Sequence, residues 1–158
     1  LAILRALRAH GHGPRVERAV LVFTRAGEHG LLWQALCLAG ALADARRRPR
    51  YLRAMRTVGL AYLANIALKY VVRRPRPRLD DLPALSSTVT SLSFPSAHAT
   101  TSFAAARALT VEGGLAKPPV YALASVMALS RVYAGVHYPT DIAAGALLGT
   151  VLAGAAGR

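Results

Sequence analysis

The chain has 158 residues, one domain's worth, of which 54% are hydrophobic and only 17% charged. A soluble domain carries about a quarter charged residues, so the membrane class comes first. The formal charge is +13, with 20 Lys and Arg against 7 acids, but the arginines gather at the ends of apolar segments, as flanks of membrane helices do. That placement argues against nucleic acid and for anionic lipid head groups and a phosphorylated substrate as partners.

In chain order, residues 1–25 space Ile3, Leu4 and Leu7, then Val16, Val20 and Phe23, at helical intervals, with Arg5, Arg8, Arg15, Arg18 and Arg25 between them. Gly11, Gly13 and Pro14 interrupt the pattern. It predicts one or two basic amphipathic helices lying on the membrane surface. The first ten residues are too arginine-rich for a cleavable signal peptide. Residues 30–43 are the first spanning candidate, between Glu28-His29 and an Asp44 to Arg50 polar run. They fall short of the roughly 20 apolar residues a straight span needs, so the helix is expected to continue into its polar flanks, whose arginines can snorkel.

Residues 51–72 form the second candidate, interrupted by Asn65 and Lys69. Residues 73–93 are a proline-rich polar loop, unable to cross a bilayer. Residues 96–111 are the third, residues 118–136 the fourth, opened by prolines that suit a helix start. Residues 142–157 are the fifth, uncharged, with Gly145 and Gly149 spaced for close helix contact, either within the chain or in a homo-oligomer. Cys37, the single cysteine, lies inside an apolar run and is expected to pack there. The fold expected is all-α: one membrane domain over residues 1–158, with an interfacial helix in 1–25 and a bundle of about five transmembrane helices in 28–157.

If the five segments alternate across the membrane, four of their ends emerge on one face. Those ends carry Lys69 and Arg76, Ser96 and His98, Arg131 and His137, and Asp141. Glu28 and His29 belong to the same face. Asp141, four residues after His137, can accept its ring N–H and fix the tautomer, leaving the other nitrogen to attack or take a proton. Arg131 supplies a planar fork for phosphate oxygens. The constellation points to phosphate chemistry centred on a histidine.

Three pieces stand together: Lys69 with Arg76-Pro77 at Lys-x6-Arg-Pro spacing, Pro95-Ser96-Ala97-His98, and Ser130-Arg131-x5-His137-x3-Asp141. They closely resemble the tripartite signature of the type 2 phosphatidic acid phosphatases, a superfamily that includes bacterial acid phosphatases and vanadium haloperoxidases. The one departure is Ala97, where the family usually has glycine; its methyl group crowds the approach of a phosphate oxygen to the backbone N–H. The resemblance implies that His137 attacks phosphorus to form a phosphohistidine, that Asp141 orients it, and that His98 protonates the leaving alkoxide and then activates water. It implies that Lys69, Arg76 and Arg131 hold the phosphoryl oxygens, helped by Ser96 and the Ala97 amide, with no metal and no cofactor.

Other polar residues have plainer expectations. Asn65 reads as an interhelical hydrogen bond, and Arg73, Arg74 and Arg78 as interface anchors. Ser96 reads equally well as a helix cap. Glu28 and His29 are candidate substrate contacts, since a charged pair at a membrane helix end is expensive unless useful. With Gly27-Glu28-His29-Gly30 before the first span and Phe94 to Thr100 around the second motif, the chain is similar to the actinobacterial branch that acts on decaprenylphosphoryl-phosphoribose for cell-wall arabinan. Polyprenyl diphosphate, phosphatidate and phosphatidylglycerophosphate are the alternative substrates. The expected location is the plasma membrane, with the site facing the cytoplasm.

Overall fold

A computed structural model describes residues 3, 5–6, 13–78 and 82–157. Most of residues 1–12, the first part of the expected amphipathic segment, lies outside the described residues. The second part forms α1 (Pro14–Ala26), opened by a proline whose missing N–H costs nothing in a first turn. A single 3-10 turn, Glu28–Gly30, follows. Then come α2 (Leu31–Ala43), α3 (Arg48–Val72), α4 (Ala97–Val111), α5 (Lys117–Tyr133) and α6 (Pro139–Ala156).

The helix over residues 31–43 does not continue into its polar flanks, contrary to expectation. At its start His29 has φ 53° and Gly30 φ 75°, both left-handed, so the helix path is broken there. At its end Asp44 leaves the helix, and its Oδ1 accepts the backbone N–H groups of Arg46 (3.0 Å) and Arg47 (3.1 Å), which starts the turn into α3. The 13 residues of α2 span about 20 Å. The fourth segment stops at Tyr133, because Gly135 takes φ 75° and turns the chain. The fifth begins three residues early, at Pro139, which brings Asp141 into its first turn.

Helix α4 is central, packed against α6, α3 and α5. Its alanines 99, 104, 105, 106 and 108 are all buried, and this small-residue surface lets neighbouring backbones come close. Gly145 and Gly149 of α6 use it: a Cβ at Gly145 would lie 2.7 Å from the Ser96 carbonyl oxygen, and one at Gly149 would overlap the Thr100 carbonyl. That glycine face is therefore consumed inside the chain. A second core joins Trp33, Cys37 and Ala41 of α2 to Ala54 and Val58 of α3, Leu109 of α4 and Ala124 of α5. The Trp33 indole N–H donates to Ser102 at 2.8 Å, so the largest core side chain is also satisfied.

Among the described residues, one helix, α6, is both long and apolar enough to cross a bilayer by its own length and composition. The others are shorter than 18 residues or, like α3, not apolar enough. The loop after α3 is not loose: Ser93 N–H donates to the Arg74 carbonyl at 2.8 Å and Leu85 N–H to that of Ala134 at 2.9 Å. It folds back over the ends of α3, α4 and α5, where the polar residues collect.

Candidate active site

His137 sits in the short connection between α5 and α6, with only 2% of its surface exposed. Arg76 Nη1 lies 3.3 Å from its Nε2. A guanidinium can only donate, so Nε2 presents its lone pair on that side and the ring hydrogen belongs on Nδ1. Asp141 Oδ2 is 3.5 Å from Nδ1. That is a charge contact at the outer edge of hydrogen-bond reach, and Nδ1 has no stronger partner among the described residues. In enzymes, long contacts between a histidine and a carboxylate commonly tighten when substrate arrives.

Asp141 is completely buried. Its Oδ2 accepts the Tyr138 backbone N–H at 2.8 Å and its Oδ1 accepts Arg74 Nη1 at 2.9 Å. The same Arg74 nitrogen donates to the Thr140 hydroxyl at 2.8 Å, and the guanidinium lies 4.0 Å above the Tyr138 ring. The expectation that Arg74 serves as an interface anchor is thus overturned: it holds the carboxylate that faces the histidine. A buried carboxylate needs such a partner to remain ionised.

Burial, which disfavours the charged imidazolium, lowers the His137 pKa to about 4; the Asp141 contact opposes this, while Arg76, Lys69 and Arg131 reinforce it. The ring is therefore neutral near pH 7, as a nucleophile must be. Burial also lowers the Arg76 pKa to about 10, with Asp141 opposing the shift, so that guanidinium stays charged.

A cleft opens beside His137, lined among others by Lys69, Arg76, Ala97, His98 and Arg131. Lys69 does not snorkel: it is 4% exposed and donates to the carbonyls of Pro95 (2.8 Å), Leu92 and Ser93 (both 3.3 Å). Arg76 is held by the carbonyls of Val136 (2.7 Å, from Nη1) and Thr90 (2.9 Å, from Nε). Arg131, 4% exposed, donates from Nη1 to Thr24 Oγ1 at 2.9 Å, whereas its Nε is buried with no partner among the described residues. Such a donor is costly unless an anion arrives. Together these groups form a cation-lined recess suited to phosphoryl oxygens.

Ser96 is fully buried as the N-cap of α4, its Oγ accepting the Ala99 N–H at 3.4 Å, and it does not line the cleft. Ala97 does, at the first turn of that helix, where backbone N–H groups make an anion site. Ser96 N–H donates to the Asp141 carbonyl at 3.1 Å, which fixes the starts of α4 and α6 against each other. Asn65 bridges helices as expected, donating to Thr100 Oγ1 at 2.9 Å and to the Pro95 carbonyl at 3.2 Å.

Glu28 and His29 reach the cleft from the other side, with Tyr62 and Ile66 of α3. His29 Nδ1 and the Tyr62 hydroxyl are 2.7 Å apart. Arg73 and Arg78 do not line the cleft; Arg73 Nε caps its own helix end at the Tyr70 carbonyl, 3.0 Å away. Sequence reasoning misses three residues: Arg74, Tyr62 and Thr24. Arg74 precedes Pro75, a position held extended and hence not part of α3. No signal points to Tyr62 or to Thr24, which look like ordinary members of their helices.

Comparison with known proteins gives a consistent set. The sequence pattern described as the PAP2 superfamily matches residues 50–157. Decaprenylphosphoryl-5-phosphoribose phosphatase of Mycolicibacterium smegmatis is 42% identical over 145 residues, covering 91% of this chain and 79% of that protein. The protein of the same name from Mycobacterium tuberculosis H37Rv is 44% identical over 129 residues, 80% of this chain and 70% of that one. Among solved structures, Aquifex aeolicus LpxE superposes with a TM-score of 0.80 at 24% identity, covering 98% of this chain and 92% of that chain. The transmembrane PAP2-type phosphatidylglycerolphosphate phosphatase of Bacillus subtilis gives 0.75 at 24% identity, covering 99% and 83%. The structural matches speak to the fold.

Proposed function

The chain belongs to the PAP2 superfamily and is a lipid phosphate phosphatase, and we propose that it removes the 5-phosphate of decaprenylphosphoryl-phosphoribose to give decaprenylphosphoryl-ribose. The observation that carries the reaction is the direction of His137: its lone-pair nitrogen faces a recess of arginine and lysine, and its other nitrogen faces a buried carboxylate.

The steps follow from that geometry. His137 Nε2 attacks phosphorus; a P–N bond forms as the bond to the ribose oxygen breaks, and His98 protonates the departing alkoxide. His98 then takes a proton from water, whose oxygen attacks phosphorus and releases His137. Asp141, held by Arg74, stabilises the positive ring while it carries the phosphoryl group. Arg76, Arg131 and Lys69 with the Ala97 amide meet the equatorial oxygens, where charge builds in phosphoryl transfer; Ser96 keeps the helix start that presents this amide. Lys69 reaches the phosphate by giving up one loop carbonyl. A metal ion and a cofactor have no part in these steps.

The substrate assignment rests on the curated relatives and on the cleft's second wall. Glu28, His29 and Tyr62 offer a carboxylate, an imidazole and a phenol about the phosphate recess, the groups that pair with sugar hydroxyls. Polyprenyl diphosphate, phosphatidate and phosphatidylglycerophosphate lack a ribose for that wall to hold. We also place the chain as one domain crossing the plasma membrane, α2 to α6 as five spans, with α1 on the surface and the exposed Arg15, Arg18 and Arg25 against anionic head groups. The site then faces the cytoplasm, where phosphoribose precursors are made. A cysteine introduced at half-buried Ser86, beside a buried Cys37, tests this: an impermeant thiol reagent must fail to label it in intact cells.

The function is tested by phosphate release in detergent with EDTA, on those four lipids, beside His137→Ala. Release that survives EDTA, vanishes in the variant and is fastest from the phosphoribose lipid is expected. Loss of release with EDTA overturns the histidine mechanism; a faster rival lipid overturns the substrate.

A further inference from the structure

Helix α1 has so far only the role of a surface anchor, yet its last turn enters the site. Thr24 is completely buried although its neighbour Arg25 is exposed. His98 Nε2 lies 2.9 Å from the Thr24 carbonyl oxygen, and Arg131 Nη1 lies 2.9 Å from Thr24 Oγ1. The hydroxyls of Thr24 and Ser130 are 3.0 Å apart. Ser130 has one hydroxyl hydrogen, and the Met127 carbonyl takes it at 2.6 Å. The Thr24 hydroxyl therefore gives its own hydrogen to Ser130 and keeps its lone pairs for Arg131. Gly27 makes the approach feasible, since a Cβ there would overlap the Met127 thioether and lie 2.8 Å from His98 Cδ2.

From these contacts, and resting on the phosphatase reading above, we propose that Thr24 is a positioning residue that completes the active site from the amphipathic helix. A carbonyl can only accept, so His98 carries a hydrogen on Nε2 whenever this contact is made. The ring then meets substrate through Nδ1. The charged ring donates from both nitrogens, and once Nδ1 has given its proton to the leaving oxygen the neutral Nε2–H form remains, still held by Thr24. One hydrogen bond thus serves both states, and proton traffic is confined to Nδ1. The hydroxyl meanwhile fixes Arg131 by Nη1 and leaves its buried Nε for the phosphate.

Three variants and one spectrum test this in the full-length protein in detergent. Thr24→Val keeps the carbonyl and loses the hydroxyl; it is expected to raise KM, with kcat/KM down about ten- to hundredfold, the worth of a hydrogen bond to a charged group. Thr24→Ser is expected to restore it to within about threefold. Gly27→Ala presses on both Met127 and His98 and is expected to lower kcat, by up to the 10²- to 10⁴-fold typical of a general acid. In the 15N spectrum of histidine-labelled protein, neutral His98 should be the Nε2–H tautomer. Wild-type kinetics in Thr24→Val, equal losses in the valine and serine variants, or an Nδ1–H His98 would each overturn the proposal. Phosphate release that survives in His137→Ala would instead sink the phosphatase reading on which it rests.

Discussion

The two walls of the cleft are built on different principles. On one, the groups behind His137 are tied: Asp141 has a backbone and an arginine donor, Arg74 is fixed by Asp141, Thr140 and the Tyr138 ring, and Lys69 spends its donors on three carbonyls. On the other, Glu28 and His29 are only partly buried or exposed, His29 holds a left-handed φ of 53°, and one contact to Tyr62 steadies it. On the function proposed above, the difference separates chemistry from choice. A group that must meet a transition state within tenths of an ångström is over-determined by its neighbours, while groups that read a head group keep open valences for it.

Substitutions on the tied wall should therefore cost rate, and those on the open wall should cost discrimination. Asp141→Asn is expected to lower kcat about 10²- to 10⁴-fold, because the amide no longer supports the charged ring; single-turnover phosphate release measures it. Arg74→Ala leaves that carboxylate with one donor and should lower kcat about 10- to 100-fold with KM near wild type, whereas Arg78→Ala should change neither. If both arginine variants behave alike, the tied wall is not what holds Asp141.

The pH dependence of stability sharpens the same contrast. His137 is held at about 4 in the folded protein against an ordinary 6.5, so below 6.5 the unfolded chain takes a proton that the native site refuses. Stability is full above that value and falls as pH drops towards 4, by at most about 1.4 kcal/mol per pH unit. Melting in detergent across pH 7 to 4 should show that loss, and His137→Asn should remove this share of it. The smallest effect belongs to the open wall. Glu28→Gln should cost about three- to tenfold in kcat/KM on the phosphoribose lipid and almost nothing on phosphatidate, a ratio that competition between the two lipids reads directly.

Much of the tied wall is legible in the sequence alone. Lys69, Arg76, His98, Arg131, His137 and Asp141 are residue types that an apolar chain does not carry for packing, and alternation of apolar segments puts them on one face. Asn65 is legible for the same reason. Arg74 is not, because beside Arg73 and Arg78 it has the look of a membrane-flank arginine; only the fold shows that the chain after α3 turns it inward. Thr24 is hidden by its helix: a threonine among surface arginines gives no sign that its carbonyl reaches a histidine 74 positions along. The ends of α2 escape a sequence reading that weighs spanning length above the local conformations of His29, Gly30 and Asp44.

That short α2 has a consequence for the surrounding lipid. In the placement proposed above, it stands about 20 Å tall beside α3 at about 37 Å, against a hydrocarbon layer of about 30 Å. Hydrophobic mismatch of this size is met by local thinning, at fractions of a kcal/mol per ångström. The turn that begins α2 carries Glu28 and His29, so in that placement the bilayer would dip at the wall proposed to read the head group. A polyprenyl lipid drifting sideways past α2 would find its phosphate already lowered towards the cleft, and lateral access from the leaflet would need less lifting of the lipid out of the membrane.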